Sequence, residues 1–211
     1  MTGGQTPMRL VLVRHGSTAG NEARRYVGRR TDEPLSPKGV EQCRCAGSFE
    51  QVGKVYASPM LRARQTAELC FPCAEIVCVP GLEEFDFGVF EGRCPDNMEH
   101  DATYRAWVDG NCEGQCPGGE TRDDFARRTK DALAHVLLGA CERKEDLVVV
   151  VAHGGTIMAA LNGFYHKHVG NCEGYAVIVQ VSNDGTRVTF GHEQRFSLAL
   201  GDNPFYAYGT R

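Results

Sequence analysis

Two short apolar runs, each ending at a histidine, constrain this 211-residue chain most. Leu10-Val11-Leu12-Val13 stops at Arg14-His15-Gly16, and Leu147-Val148-Val149-Val150-Val151 stops, after Ala152, at His153-Gly154-Gly155. Continuous β-branched runs of this length read as strands buried on both faces, the pattern of a parallel sheet. The glycine after each histidine is expected to let the backbone turn sharply into a helix start. Open α/β sheets bind ligands at the carboxyl ends of their strands, so the repeated design brings two histidines and an arginine to one sheet edge.

The intervening sequence alternates in the same way. After an arginine-rich loop (Arg24, Arg25, Arg29, Arg30), Ser36-Pro37 reads as an N-cap and first helical residue, opening a helix to about Glu50. Lys54 to Ala57 is a strand, Ser58-Pro59 repeats the cap-and-proline start for a helix through about Cys70, and Glu75 to Val79 is a further strand. Residues 82 to 119 break the pattern and read as a lid excursion over the sheet edge with two short helices. From Glu120 to about Cys141, Phe125, Thr129, Ala132, Leu133, Val136, Leu137 and Ala140 keep the spacing of an amphipathic helix. A strand over Leu147 to Ala152 and a helix from about Thr156 to Phe164 follow. Ala176 to Val181 and Arg187 to Phe190 then flank Asn183-Asp184-Gly185, a hairpin signal. The expectation is one α/β domain over residues 1–211, a three-layer sandwich with helices on both faces of a mostly parallel central sheet that is antiparallel at one edge.

A net charge of −4 carries no general electrostatic footprint for nucleic acid or an anionic membrane. No stretch approaches the roughly 18–20 consecutive apolar residues of a membrane span, and Met1-Thr2-Gly3-Gly4-Gln5 lacks the basic and apolar regions of a signal peptide, so a cytoplasmic protein is expected. Ten cysteines invite a metal or redox reading. Yet Cys70-Phe71-Pro72-Cys73 closes a helix instead of opening one, and Cys112 and Cys116 do not complete a zinc knuckle, so free and mostly buried thiols are expected. No other cluster has metal-ligand spacing, and neither a metal nor another cofactor is expected.

Leu12-Val13-Arg14-His15-Gly16, Ser58-Pro59-Met60-Leu61-Arg62-Ala63-Arg64-Gln65-Thr66-Ala67, Pro117-Gly118-Gly119-Glu120 and Ala152-His153-Gly154-Gly155 together resemble the histidine phosphatase superfamily, in the branch that includes phosphoglycerate mutases. The resemblance implies the phosphoglycerate mutase-like fold and phosphoryl transfer through a phosphohistidine. A phosphoryl group keeps its negative charge throughout transfer, so its site needs fixed donors and cations around an open in-line path. Arg14, Arg62 and His153 suit that cradle, with Gly154 beside them, and His15 suits the nucleophile, held neutral by adjacent arginines. Arg64 competes with Arg62, but the two point in nearly opposite directions on a helix, and Arg62 lies in the first turn at the family position. The family's glutamate four positions before a glycine falls on Glu84 and not on Glu83, which implies Glu84 as proton donor to the leaving group. Asn21 resembles a family asparagine that adds a phosphate donor, and a turn or cap role competes with it.

For the substrate, a small-molecule phosphomonoester, the lid is the variable element. Seven acids (Asp86, Glu91, Asp96, Glu99, Asp101, Asp109, Glu113) against Arg93 and Arg105 are expected to repel a second phosphate or carboxylate, which disfavours a phosphoglycerate. Tyr104 and Trp107 are candidates for stacking on a ring. The stretch from Glu84 to Arg93 is similar to the alpha-ribazole phosphatases of cobalamin synthesis, which implies alpha-ribazole 5′-phosphate or a related cobamide phosphate. A broad sugar or nucleotide phosphatase, a phosphoglycerate mutase and a non-catalytic phosphate-binding module are the alternatives. The tail around Phe205, Tyr206 and Tyr208 is a candidate cover for the site.

Overall fold

In a computed structural model, residues 7–164, 166–182 and 187–205 are described. The strands β1 (Met8–Arg14), β2 (Lys54–Ala57), β3 (Glu75–Cys78), β4 (Leu147–Ala152), β5 (Glu173–Val181) and β6 (Val188–Ser197) form one sheet in the order β3-β2-β4-β1-β5-β6. The first four are parallel, and β5 and β6 run antiparallel at one edge. Both expected hairpin strands are present and longer than the spacing predicts, whereas the Asn183-Asp184-Gly185 turn lies outside the described residues. Each strand that leads to a histidine is central, and β1 and β4 pair in register from Arg9 with Leu147 to Arg14 with Ala152.

Alternation along those strands divides the core. Val11, Val13, Val149 and Val151 face Cys43 and Ala46 of α2 (Pro37–Ala46) and Ala63 and Ala67 of α3 (Leu61–Cys70). Leu10, Leu12, Val148 and Val150 face Leu133, Val136, Leu137 and Ala140 of α5 (Arg122–Glu142) and Ile157 and Ala160 of α6 (Gly154–Ala160). This period-2 split of wholly apolar strands is what makes the helices cover both faces. Besides these, α1 (Ala19–Glu22) is a single turn behind the first histidine. In the excursion, two 3₁₀ turns (Gly88–Phe90 and Pro95–Met98) precede α4 (Ala102–Asp109).

Several local expectations are corrected. Helix α2 ends at Ala46, where Gly47 turns with φ 83°, four residues before Glu50. Helix α3 starts at Leu61, not at Pro59. Its N-cap Met60 has no side-chain bond, and Asp32 from a distant loop accepts the Leu61 N–H at 2.6 Å in its place. Helix α6 starts two residues earlier than predicted and ends at Ala160. All ten cysteines are free, but only Cys43, Cys70, Cys116 and Cys172 are buried.

Tyr104 and Trp107 are buried with Phe85, Phe90, Met98 and Phe125 in the lid's own core, so neither presents a face for stacking. Burial of these rings is what holds the excursion together. Phe205 packs against Phe49 and Phe71 at ring distances of 4.5 and 5.4 Å, away from any cover role; Tyr206 and Tyr208 lie outside the described residues, as do residues 1–6. Removing the Phe205 ring leaves a core cavity, so Phe205→Ala is expected to lower the unfolding free energy by about 3 kcal/mol in urea titration while kcat/KM on a phosphomonoester stays unchanged.

Candidate active site

The two strand ends place His15 and His153 edge to face, with ring centroids 5.1 Å apart. Both rings are buried, His153 completely. The His15 Nδ1 lies 2.6 Å from the Gly16 carbonyl oxygen, which only accepts, so Nδ1 carries the proton and Nε2 is left with its lone pair. Arg62 Nε donates to that Nε2 at 3.2 Å. The His15 pKa lies well below its ordinary value, first because burial penalises the charged ring and then because Arg62 and Arg14 repel a proton. His153 is held neutral in the same way, by burial and by Arg62, His15 and Arg14.

Arg62 is completely buried. Its Nη1 donates to the Thr31 carbonyl at 2.8 Å, and its Nη2 to the Val27 and Gly28 carbonyls at 3.4 and 3.2 Å. Arg64, two residues along α3, is half-buried and shares none of these contacts, as the helical spacing predicts. Arg14 donates from Nη1 to the Val169 carbonyl at 2.7 Å and packs beside Gly154. Burial lowers the pKa of both guanidinium groups, and the Glu84 carboxylate is the largest opposing influence on each. Arg14 Nε and His153 Nδ1 are buried without a hydrogen-bond partner.

The turn itself is held by close packing. Gly16 N–H donates to Thr66 Oγ1 at 3.0 Å, and Thr66 in turn donates to the Arg62 carbonyl at 2.8 Å. A Cβ on Gly16 would stand 2.8 Å from the Gly39 carbonyl oxygen, so this glycine serves the close approach of α2. Gly155 has a similar duty, since a Cβ there would stand 2.2 Å from Glu84 Oε1. The Glu84 carboxylate accepts from the Gly155 N–H at 3.0 Å and from the Phe85 N–H at 2.8 Å.

Asn21 completes a capping box with Thr18, and its Oδ1 accepts from Asn171 Nδ2 at 3.3 Å. Its oxygen is thus engaged in structure. Three further residues were not legible as site residues. Asn171 also donates to the His15 carbonyl at 3.0 Å; it precedes β5 in an irregular segment that carries no pattern. Ser58 reads as a helix cap, yet its Oγ is 2.8 Å from His153 Nε2. Arg128 looks like a surface position of α5, yet it donates to the carbonyls of Gly81, Glu83 and Glu84.

The lid acids are largely consumed by internal partners. Asp86 pairs with Arg30 at 2.8 Å, Asp101 with Arg93 at 3.1 Å, Asp109 with Arg105 at 2.5 Å and Glu113 with Arg122 at 3.6 Å. Glu91 accepts from Gly28 N–H and Thr31 Oγ1 at 3.0 and 2.7 Å. Four of the seven acids thus pair with arginines, two of them inside the lid (Arg93, Arg105) and two outside it (Arg30, Arg122), so the repulsion expected of a second anion is reduced.

Among the described residues no group of three or more His, Cys, Asp or Glu is placed to hold a metal ion, and no helix is long and apolar enough to cross a membrane. A sheet edge carrying two buried histidines, a buried arginine and a half-buried one suits a phosphoryl group. The model of the histidine phosphatase superfamily (branch 1) matches residues 10–201, and the chain belongs to that superfamily, whose members are phosphatases and mutases. It is 33% identical over 166 residues to a probable phosphoglycerate mutase GpmB of Erwinia tasmaniensis, covering 74% of this chain and 75% of that one. It is 34% identical over 163 residues to a metal-independent phosphoserine phosphatase of Arabidopsis thaliana, covering 71% and 66%. The solved phosphoglycerate mutase of Thermus thermophilus superposes with a TM-score of 0.62 at 31% identity, covering 82% and 93%. A putative alpha-ribazole-5′-P phosphatase of Escherichia coli superposes with a TM-score of 0.73 at 23% identity over 88% and 95%, a likeness of fold alone.

The buried neutral histidines set a sign for pH. Their folded pKa values lie below the unfolded value near 6.5, so below about pH 6.5 the unfolded chain binds protons that the folded chain does not. Stability is therefore lost as pH falls through that value, by at most about 1.4 kcal/mol per pH unit for each histidine. Urea titrations between pH 7.5 and 5 are expected to show this slope, and a His15→Gln/His153→Gln double variant is expected to flatten it.

Proposed function

We propose that the protein is a metal-independent phosphomonoester hydrolase that works through a phosphohistidine on His15 Nε2. The observation that carries this reading is the contact of His15 Nδ1 with the Gly16 carbonyl: it keeps the proton on Nδ1, so the Nε2 lone pair, which accepts from Arg62 Nε in this structure, faces phosphorus once that N–H turns to a phosphoryl oxygen. Nε2 attacks phosphorus, the ester P–O bond breaks, and Glu84 gives its proton to the departing oxygen. Water then attacks the phosphohistidine, Glu84 takes a proton from it, the P–N bond breaks, and inorganic phosphate leaves. Arg14, Arg62 and His153, with the Gly154 backbone and the Asn21 amide nitrogen, hold the non-bridging oxygens. The open Arg14 Nε is a donor such an anion would satisfy, and His153 Nδ1 is a second when Ser58 gives its hydroxyl proton to Nε2.

Alpha-ribazole 5′-phosphate is the first substrate proposed, on the likeness of the Glu84–Arg93 stretch. Phosphoserine and 3-phosphoglycerate belong beside it, because four of the seven lid acids are paired with arginines, which lessens their repulsion of a substrate carboxylate. His15→Ala is expected to abolish both turnover and the acid-labile phosphoenzyme trapped from labelled substrate, and normal activity in that variant overturns the mechanism. A comparison of kcat/KM across the three esters decides the substrate class; a marked preference for 3-phosphoglycerate overturns the alpha-ribazole reading. Because two guanidinium groups supply the fixed charge, a chelator is expected to leave turnover unchanged.

A further inference from the structure

We propose that Arg128 and Glu120 are a positioning clamp that sets the Glu84 carboxylate against the phosphoryl site, an inference that rests on the reading of Glu84 as proton donor. Residues 80–87 have no helix or strand, so no backbone ladder locates Glu84. Its position depends on bonds from neighbouring elements. Arg128, in the second turn of α5, donates from Nη1 to the Gly81 and Glu83 carbonyls, both at 2.9 Å, and from Nη2 to the Glu84 carbonyl at 2.9 Å. Its remaining N–H groups grip Glu120, from Nε to Oε1 at 2.6 Å and from Nη2 to Oε2 at 2.9 Å. Glu120 passes the restraint to the far side of Glu84, because its Oε2 accepts the Asp86 N–H at 3.0 Å while its own N–H donates to the Asp86 carbonyl at 3.1 Å.

The chain is thus held on both sides of Glu84 by one ion pair. The Arg128 guanidinium lies over the Phe125 ring at 4.8 Å, which keeps its plane in line with the three carbonyls. A planar fork can meet three carbonyls and a carboxylate together, and a lysine ammonium, a point donor, cannot. The carboxylate of Glu84 has only the Phe85 and Gly155 N–H groups of its own, so any drift of residues 81–86 carries the acid away from the leaving oxygen. A misplacement near 1 Å is enough to cost about a hundredfold in rate.

The test uses leaving groups that differ in their need for a proton. An alkyl phosphate releases an alkoxide that must be protonated, whereas p-nitrophenyl phosphate releases a stable phenolate that needs no acid. Since kcat/KM covers the steps only through departure of the alcohol, later attack by water does not enter. Glu84→Gln is expected to lose on the order of a hundredfold on 2-phenylethyl phosphate and little on p-nitrophenyl phosphate. Arg128→Lys and Glu120→Gln are each expected to shift the ratio of the two kcat/KM values the same way, by about tenfold or more, and the Glu84→Gln/Arg128→Lys double variant to show the ratio of Glu84→Gln alone. Equal loss on both esters, or no loss, in the clamp variants while Glu84→Gln stays selective overturns the clamp. Absence of leaving-group dependence in Glu84→Gln overturns the proton-donor reading and the clamp with it.

Discussion

Everything at this sheet edge depends on burying the Arg62 guanidinium. A charged group with no exposed surface is costly unless its donors are matched, and here three main-chain carbonyls and the imidazole of His15 receive them. Among the described residues no carboxylate is bonded to it; Glu84, Asp32, Glu33 and Glu91 act on it only through space. The bonds join α3, the first strand end and the segment from Val27 to Thr31 into one rigid unit. An incompletely neutralised cation held in this way suits an anion, and in the proposed function a phosphoryl group supplies that charge.

Rigidity around that cation has a second source in close backbone approach. Gly16 lets the His15 turn sit on α2, and Gly155 lets the Glu84 carboxylate reach the start of α6. Each contact would be blocked by a single methyl group. The Glu84 segment is irregular, so its order comes from side chains of α5 and α6: Arg128 and Thr156 bond its carbonyls, and Gly155 receives its carboxylate. The excursion that follows packs in an aromatic cluster shared with Phe125 of α5, and four of its seven acids pair with arginines.

Much of this was legible in the residues because it depends on periodicity. The wholly apolar runs at Leu10 to Val13 and Leu147 to Val151 can only be strands covered on both faces, and the stripe from Phe125 to Ala140 buries as its spacing requires. Arg62 and Arg64 separate into a buried site residue and a half-buried neighbour because two positions on a helix point in different directions. What failed was inference about isolated side chains. Ser58 reads locally as a cap, but the hydroxyl answers to a histidine 95 residues away. Trp107 and Tyr104 read as candidates for stacking on a ring, although a lone Trp is more often a core anchor, and burial puts both in the core.

The sequence by itself determined the class of sheet, the strands that end in His15 and His153, and the residue types available for phosphoryl chemistry, since hydrophobic period and motif are properties of neighbouring positions. Tertiary structure alone decided which ring nitrogen of His15 faces the Gly16 carbonyl, which accepts from Arg62, and how the Glu84 segment is held. Those outcomes depend on distances between segments far apart in the chain: the carbonyl beside Nδ1, the guanidinium beside Nε2, and an arginine on α5 that reaches three carbonyls of a loop with no ladder of its own. No local pattern encodes such distances, because they are set by packing of the helices on the two faces of the sheet.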